Sequence, residues 1–267
     1  MPGQACTAKR LRKLVHALPQ TFRADAEAAA SATMIDPTRW GVTVRQGCEN
    51  SLVETVWTGA VCLLGGDPQV AAAAAADLGA RYAESHRRYH NSAHVQAVLQ
   101  DAAVLAGELR LPAEERAVLA IAAGAHDVVY DGRPGDDERR SASWARDWLT
   151  RAGVGEVHVA RAEKLVLATV THSAPPDDLT AWVLLDADLA ILGADPPVYD
   201  RYRLAVREEY AALDEPGWRA GRTAVMSGLL ARDQLYGTRA ARRRWEARAR
   251  ANIARELESL TAAAPPR

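Results

Sequence analysis

Arg87-Arg88-Tyr89-His90-Asn91-Ser92-Ala93-His94 opens the stretch that decides the fold; Val95, Val98, Leu99, Ala102, Leu105 and Leu109 follow it. These apolar residues recur in steps of three and four, as on a helix with one buried stripe. His90 and His94 are four apart, so a helix that includes both sets them on one face. A second helical segment opens at Pro112 with Glu114 and Glu115 and runs through Val118, Leu119, Ile121 and Ala122. Acids in that first turn sit at the positive end of the helix dipole. The segment delivers His126-Asp127 at its C-terminal end. Three imidazoles and a carboxylate so placed suit a divalent metal such as Mn, Fe, Co, Ni or Zn.

The helical period extends outward from there. Leu52 to Leu64 is apolar and closes on Gly65-Gly66. Asp67-Pro68 starts the next helix in the favoured cap-then-proline order. Ala71 to Ala76 prolongs it, because Ala has the highest helix propensity. Helices are also predicted over 156–172, 178–192, 197–213, 219–232 and 240–260. The last carries Trp245, Ala249, Ile253 and Leu257 in steps of four. No segment sustains a period of two, so the expected architecture is all-α, a single helical bundle over residues 51–260. Residues 1–50 read as a poorly ordered or uncertain N-terminal extension, and 261–267 as a disordered tail.

Composition narrows the function. The chain has 267 residues, 25% charged, with a formal net charge of −1. That balance lacks the basic footprint of a dedicated nucleic-acid binder. Cys6, Cys48 and Cys62 are odd in number and form no CxxC pair. A disulfide framework and a Cys-ligated zinc are not expected. No apolar run reaches eighteen residues and no cleavable leader is visible, so a cytoplasmic protein without membrane partners is expected. A homo-oligomer remains open.

A further acid comes from Leu184-Leu185-Asp186-Ala187-Asp188-Leu189. Residues two apart on a helix point about 200° apart, so only one aspartate can face the histidines. An acid in such an apolar run is either a helix cap or a buried ligand, because an unpaired carboxylate there is costly.

His94, His126-Asp127 and the later aspartates together resemble the HD-domain superfamily of metal-dependent phosphohydrolases. Tyr89-His90-Asn91-x-x-His94 is similar to a segment of cyclic-nucleotide phosphodiesterases, as is Ala168-Thr169-x-x-His172. Arg81-Tyr82-x-Glu84, His126-Asp127-x-Val129-Tyr130-Asp131, Glu138-x-x-Ser141-Ala142, Asp186-Ala187-Asp188-Leu189 and Arg207-x-Glu209-Tyr210 resemble a bacterial subfamily of predicted HD phosphohydrolases. That likeness covers about residues 52–260.

The resemblance implies that His94, His126, Asp127 and Asp188 hold one or two divalent ions, from Mn, Mg, Fe, Co, Ni or Zn. It places His90 as the general acid and Asp127 in the catalytic centre. The implied reaction is hydrolysis of a small phosphorylated substrate, a nucleotide among the candidates. Water made nucleophilic by the metal attacks phosphorus in line, and His90 protonates the leaving oxygen. Val128-Val129-Tyr130-Asp131 after His126-Asp127 departs from the phosphodiesterase pattern, which counts against cyclic-nucleotide specificity. Arg87, Tyr130, Glu138, Ser141, His172 and Arg207 are candidate substrate contacts. Several also have a structural reading: Glu138 in a first helical turn, Ser141 as a cap, Arg207 in a surface ion pair. Two other functions fit the fold. One is a di-iron oxygenase drawing on His86, His90 and His172; the other is a non-catalytic ligand-sensing module.

Overall fold

The computed structural model describes residues 52–262; the predicted N-terminal extension and most of the C-terminal tail lie outside them. The described residues are all-α, with no strand among them. The helices are α1 (Leu52–Leu63), α2 (Pro68–Tyr82), α3 (Ser92–Glu108), α4 (Ala113–Ala125), α5 (Asp136–Arg151) and α6 (Glu156–Ala168). After these come α7 (Leu179–Asp188), a 3-10 turn (Leu189–Gly193), α8 (Pro196–Glu209) and α9 (Glu215–Leu230). The last elements are α10 (Arg239–Ala241), a π-helical turn (Arg242–Glu246) and α11 (Ala247–Ala262).

The bundle is built around α4. Every residue from Ala117 to Ala125 is buried, and a helix apolar all round belongs in a core. It packs against α1, α3, α5, α6 and α7. Small residues make that possible. A Cβ on Gly124 would lie 3.2 Å from the Trp57 ring, and the Gly124 carbonyl accepts the Tyr82 hydroxyl at 3.0 Å. The central helix therefore aims its C-terminus, with His126 and Asp127, at the ends of α3 and α7.

Helix starts follow the caps. Asp67 accepts from the N–H groups of Gln69 and Val70 at 2.8 and 2.9 Å, and Pro68 fills the first helical position. Asn91 caps α3 by accepting from Ala93 N–H at 2.9 Å. Such caps stabilise a helix by about 1 kcal/mol.

Several predicted elements are corrected. His90 precedes the Asn91 cap and so does not share a helix with His94. The predicted 156–172 helix stops at Ala168, and His172 adopts a left-handed backbone (φ 45°). The predicted 178–192 helix becomes α7 followed by the 3-10 turn. The 240–260 segment contains the π turn, where Gly193 meets Trp245: a Cβ there would come within 2.5 Å of the Trp245 side chain. No described helix is long and apolar enough to cross a membrane.

Candidate metal centre and cleft

Three helix ends bring the centre together. α3 supplies His94 from its first turn, α4 ends directly before His126 and Asp127, and α7 ends on Asp188. Donor atoms of His94, His126 and Asp127 all lie within 4.8 Å of one another. The two Nε2 atoms are 3.2 Å apart. Asp127 Oδ2 lies 3.1 Å from His126 Nε2 and 3.4 Å from His94 Nε2. Asp188 Oδ1 lies 3.4 Å from His126 Nε2 and 3.3 Å from His94 Nε2.

These spacings suit a cation. Bonds of about 2.1 Å from one ion place tetrahedral or adjacent octahedral ligand atoms on the order of 3.0–3.4 Å apart. The protonation pattern agrees. His126 Nδ1 lies 2.9 Å from the Ala123 carbonyl, which can only accept, so Nδ1 carries a proton. With that ring neutral, as a metal ligand would be, its Nε2 lone pair faces the His94 ring and two carboxylates. Such converging acceptors repel unless a proton or a metal sits among them. Without a metal that proton sits on His126: burial opposes ionisation of Asp127 and Asp188, but the charge of the protonated ring beside them prevails and holds both carboxyls well below their usual range.

The pair Asp186 and Asp188 divides as helix geometry requires. Asp188 faces the histidines. Asp186 is buried at 1% exposure and accepts from the N–H groups of Gly237 and Thr238 at 2.6 and 2.8 Å. Burial pushes its carboxyl up to about 6 against those hydrogen bonds. It fastens the 237–238 backbone to α7.

His90 is held beside the centre by a residue whose role sequence reasoning missed. Glu209, at the end of α8, accepts three backbone N–H groups on Oε1: Arg88 at 2.8, Tyr89 at 2.7 and His90 at 2.9 Å. Its Oε2 lies 2.6 Å from His90 Nδ1 and accepts the Tyr130 hydroxyl at 3.1 Å. Burial disfavours the Glu209 charge, yet the His90 contact and these donors bring its carboxyl down to about 2. The His90 ring stacks on Tyr130 at 4.2 Å. The motif Arg207-x-Glu209-Tyr210 contains this glutamate, but only the tertiary pairing reveals its function.

A cavity of about 450 Å³ runs outward from the centre. That is within the usual size range of small-molecule sites. Asp127, Asp188, His90 and His172 line its inner end; Leu192, Val206, Leu213 and Trp218 form an apolar outer wall. Tyr130 and Glu138 line it as the sequence suggests. Glu138 also accepts from Gly135 N–H at 2.5 Å, as a first-turn acid does. His172 Nε2 contacts Asp188 Oδ2 at 2.9 Å.

Three candidate substrate contacts are corrected. The Arg87 side chain is fully buried. It donates to Glu84 at 3.0 Å and to the carbonyls of His90, Asp127 and Val128 at 3.0, 2.7 and 3.0 Å. It braces the backbone carrying both site segments and is not available to phosphate. Ser141 is sealed in the core, where its hydroxyl accepts from Val129 N–H at 3.0 Å. Arg207 lies over the Trp218 ring at 5.3 Å and donates to the Tyr210 carbonyl at 2.8 Å. It secures the end of α8 and does not line the cleft. Arg133 does line the cleft and is exposed; the Gly132-Arg133-Pro134 turn gave no sequence signal for it. His86 is exposed and contacts the Tyr130 carbonyl at 2.8 Å, away from the centre.

No model of a known protein family matches the chain, and no curated protein matches it significantly.

Proposed function

We propose that this protein is a metal-dependent phosphohydrolase of the HD type, acting on a small phosphoester. The observation that carries this reading is the convergence of His94, His126, Asp127 and Asp188 beside a carboxylate-oriented His90 at the inner end of a cleft. A divalent ion held by those four residues supplies an acidified water and charge for the phosphoryl oxygens.

The chain's own groups do the rest. Glu209 fixes the His90 ring through Nδ1, leaving Nε2 to give a proton to the leaving oxygen. Stacking on Tyr130 prevents that ring from turning away. Arg133, exposed in the same cleft, supplies the cation for phosphate oxygens that Arg87 cannot. The apolar outer wall receives the leaving group and limits water. The redox alternative needs additional histidines on a second iron. His86 turns away from the centre, which favours hydrolysis; His172, in contact with Asp188, is the histidine the redox reading would draw on.

Metal analysis followed by a phosphoester panel, on wild type and His126→Ala, tests the proposal. Wild type is expected to release phosphate only with divalent metal. His126→Ala is expected to release none while keeping its helical circular dichroism. Equal turnover by the two proteins refutes the assignment. Stoichiometric iron with substrate-dependent oxygen uptake replaces it with the oxygenase reading.

A further inference from the structure

Arg222 borders the same cleft from α9, and its guanidinium is fixed by the protein itself. Nε donates to Glu256 Oε1 at 2.9 Å, and Nη2 to Glu256 Oε2 at 3.2 Å. Nη2 also donates to the Tyr202 hydroxyl at 3.2 Å. The Tyr202 and Trp218 rings cover the group at 5.2 and 5.9 Å. Only 8% of Arg222 is exposed. Nη1 takes no part in these bonds to described residues, and unlike Arg203 Nε it is not sealed in the interior.

This end of the cleft is continuous with the metal centre. Tyr202 packs on Tyr89 at 4.6 Å, and Tyr89 packs on His94 at 4.7 Å. Apolar Leu192 and Val206 lie along the same cavity. A ligand with its phosphate at Asp127 and Asp188 therefore extends over an apolar wall toward a guanidinium. A guanidinium has donors and no acceptor. Glu256 offsets its charge and locks its plane, so what remains is a directed pair of N–H groups.

We propose that Arg222 selects substrate by donating from Nη1 to an acceptor oxygen on the leaving-group end, distal to the phosphate. The preferred phosphoester then carries a carbonyl or carboxylate oxygen there. This rests on the phosphohydrolase reading for which end holds the phosphate. A site built to hydrogen-bond a substrate group rejects the analogue that lacks it more sharply than an apolar pocket rejects a change of size.

The test is calorimetric binding to Mn-loaded protein of two matched pairs. Inosine monophosphate has a neutral 6-oxo acceptor where adenosine monophosphate has a 6-amino group; 3-phosphoglycerate has a carboxylate where glycerol 3-phosphate has a hydroxymethyl group. Removing Arg222 alone strands the buried Glu256 charge, so the main variant is Arg222→Met with Glu256→Gln. Arg222→Lys is the second variant, since one ammonium cannot hold Glu256 and also present the Nη1 donors. Wild type is expected to bind the oxygen-bearing member of at least one pair about 10-fold or more tightly. The pair that shows the preference identifies the oxygen as neutral or anionic. Both variants are expected to bind the two members within about 3-fold of each other. Equal binding by wild type in both pairs overturns the proposal, as does a preference that survives in both variants. Phosphate release from the same compounds separates the two ideas. A binding preference without metal-dependent release sinks hydrolysis and leaves the Arg222 contact standing.

Discussion

Glu209 Oε2 lies 2.6 Å from His90 Nδ1, across 119 residues of sequence, while Oε1 of the same carboxylate accepts three successive backbone N–H groups. One side chain thus sets both the position of the 88–90 turn and the proton on the imidazole. Glu209→Gln separates these roles. The amide oxygen still accepts the three N–H groups, but the amide nitrogen faces Nδ1 and reverses that bond. The ring loses the carboxylate that orients it, and kcat is expected to fall by about 10- to 100-fold with KM nearly unchanged. Stability carries an independent signature. The folded Glu209 carboxyl titrates near 2, below its ordinary 4.5. A depressed carboxyl stabilises the fold above the unfolded value, and that contribution disappears as pH falls through the folded one. The melting-temperature gap between wild type and Glu209→Gln should therefore narrow on acidification from about 4.5 to about 2. A gap that stays constant with pH removes Glu209 from this role.

Asp186 and Asp188 differ by two positions and serve opposite ends. Asp188→Ala removes a donor facing His94 and His126. It is expected to lower bound metal at least about 10-fold with little loss of stability of the metal-stripped protein. Asp186→Ala strands the Gly237 and Thr238 N–H groups. Buried unsatisfied donors cost about 1–3 kcal/mol each, so a destabilisation on the order of 2–4 kcal/mol is expected, with metal affinity retained. Plasma emission and urea unfolding on both variants check this. The reverse pattern means that Asp186 is the ligand.

The helices and most of the centre were legible because their signals are local. Val95 through Leu109 mark α3 by period, and His94 and His126-Asp127 stand at helix ends, where side chains can converge. The half-turn between Asp186 and Asp188 already meant that only one could face the histidines. The Asn91 cap is also a local signal, and it removes His90 from the helix on which a four-residue spacing alone would put it. What was not legible depends on tertiary distance. Glu209 meets His90 only because α8 folds back, and Arg222 meets Glu256 across 34 residues. Arg87 read as a phosphate contact because its charge is visible in sequence and its burial is not.

Arg87 yields the prediction that most clearly parts bracing from catalysis. Its guanidinium joins Glu84 to carbonyls on two separate segments, the 90 turn and the 127–128 turn after α4. Arg87→Lys keeps the positive charge. A phosphate contact would tolerate that change with a modest rise in KM, because lysine also binds phosphate as a point charge. A brace would not, since one ammonium cannot reproduce a fork that reaches three carbonyls. Charge-assisted hydrogen bonds contribute about 1.5–3 kcal/mol each. Losing one or two should destabilise the fold by roughly 3 kcal/mol. The two site segments should also drift apart, so metal affinity falls together with stability although Arg87 touches no metal. Urea unfolding with metal titration on the same variant decides the matter: a rise in KM with unchanged stability and metal affinity would restore Arg87 to the substrate.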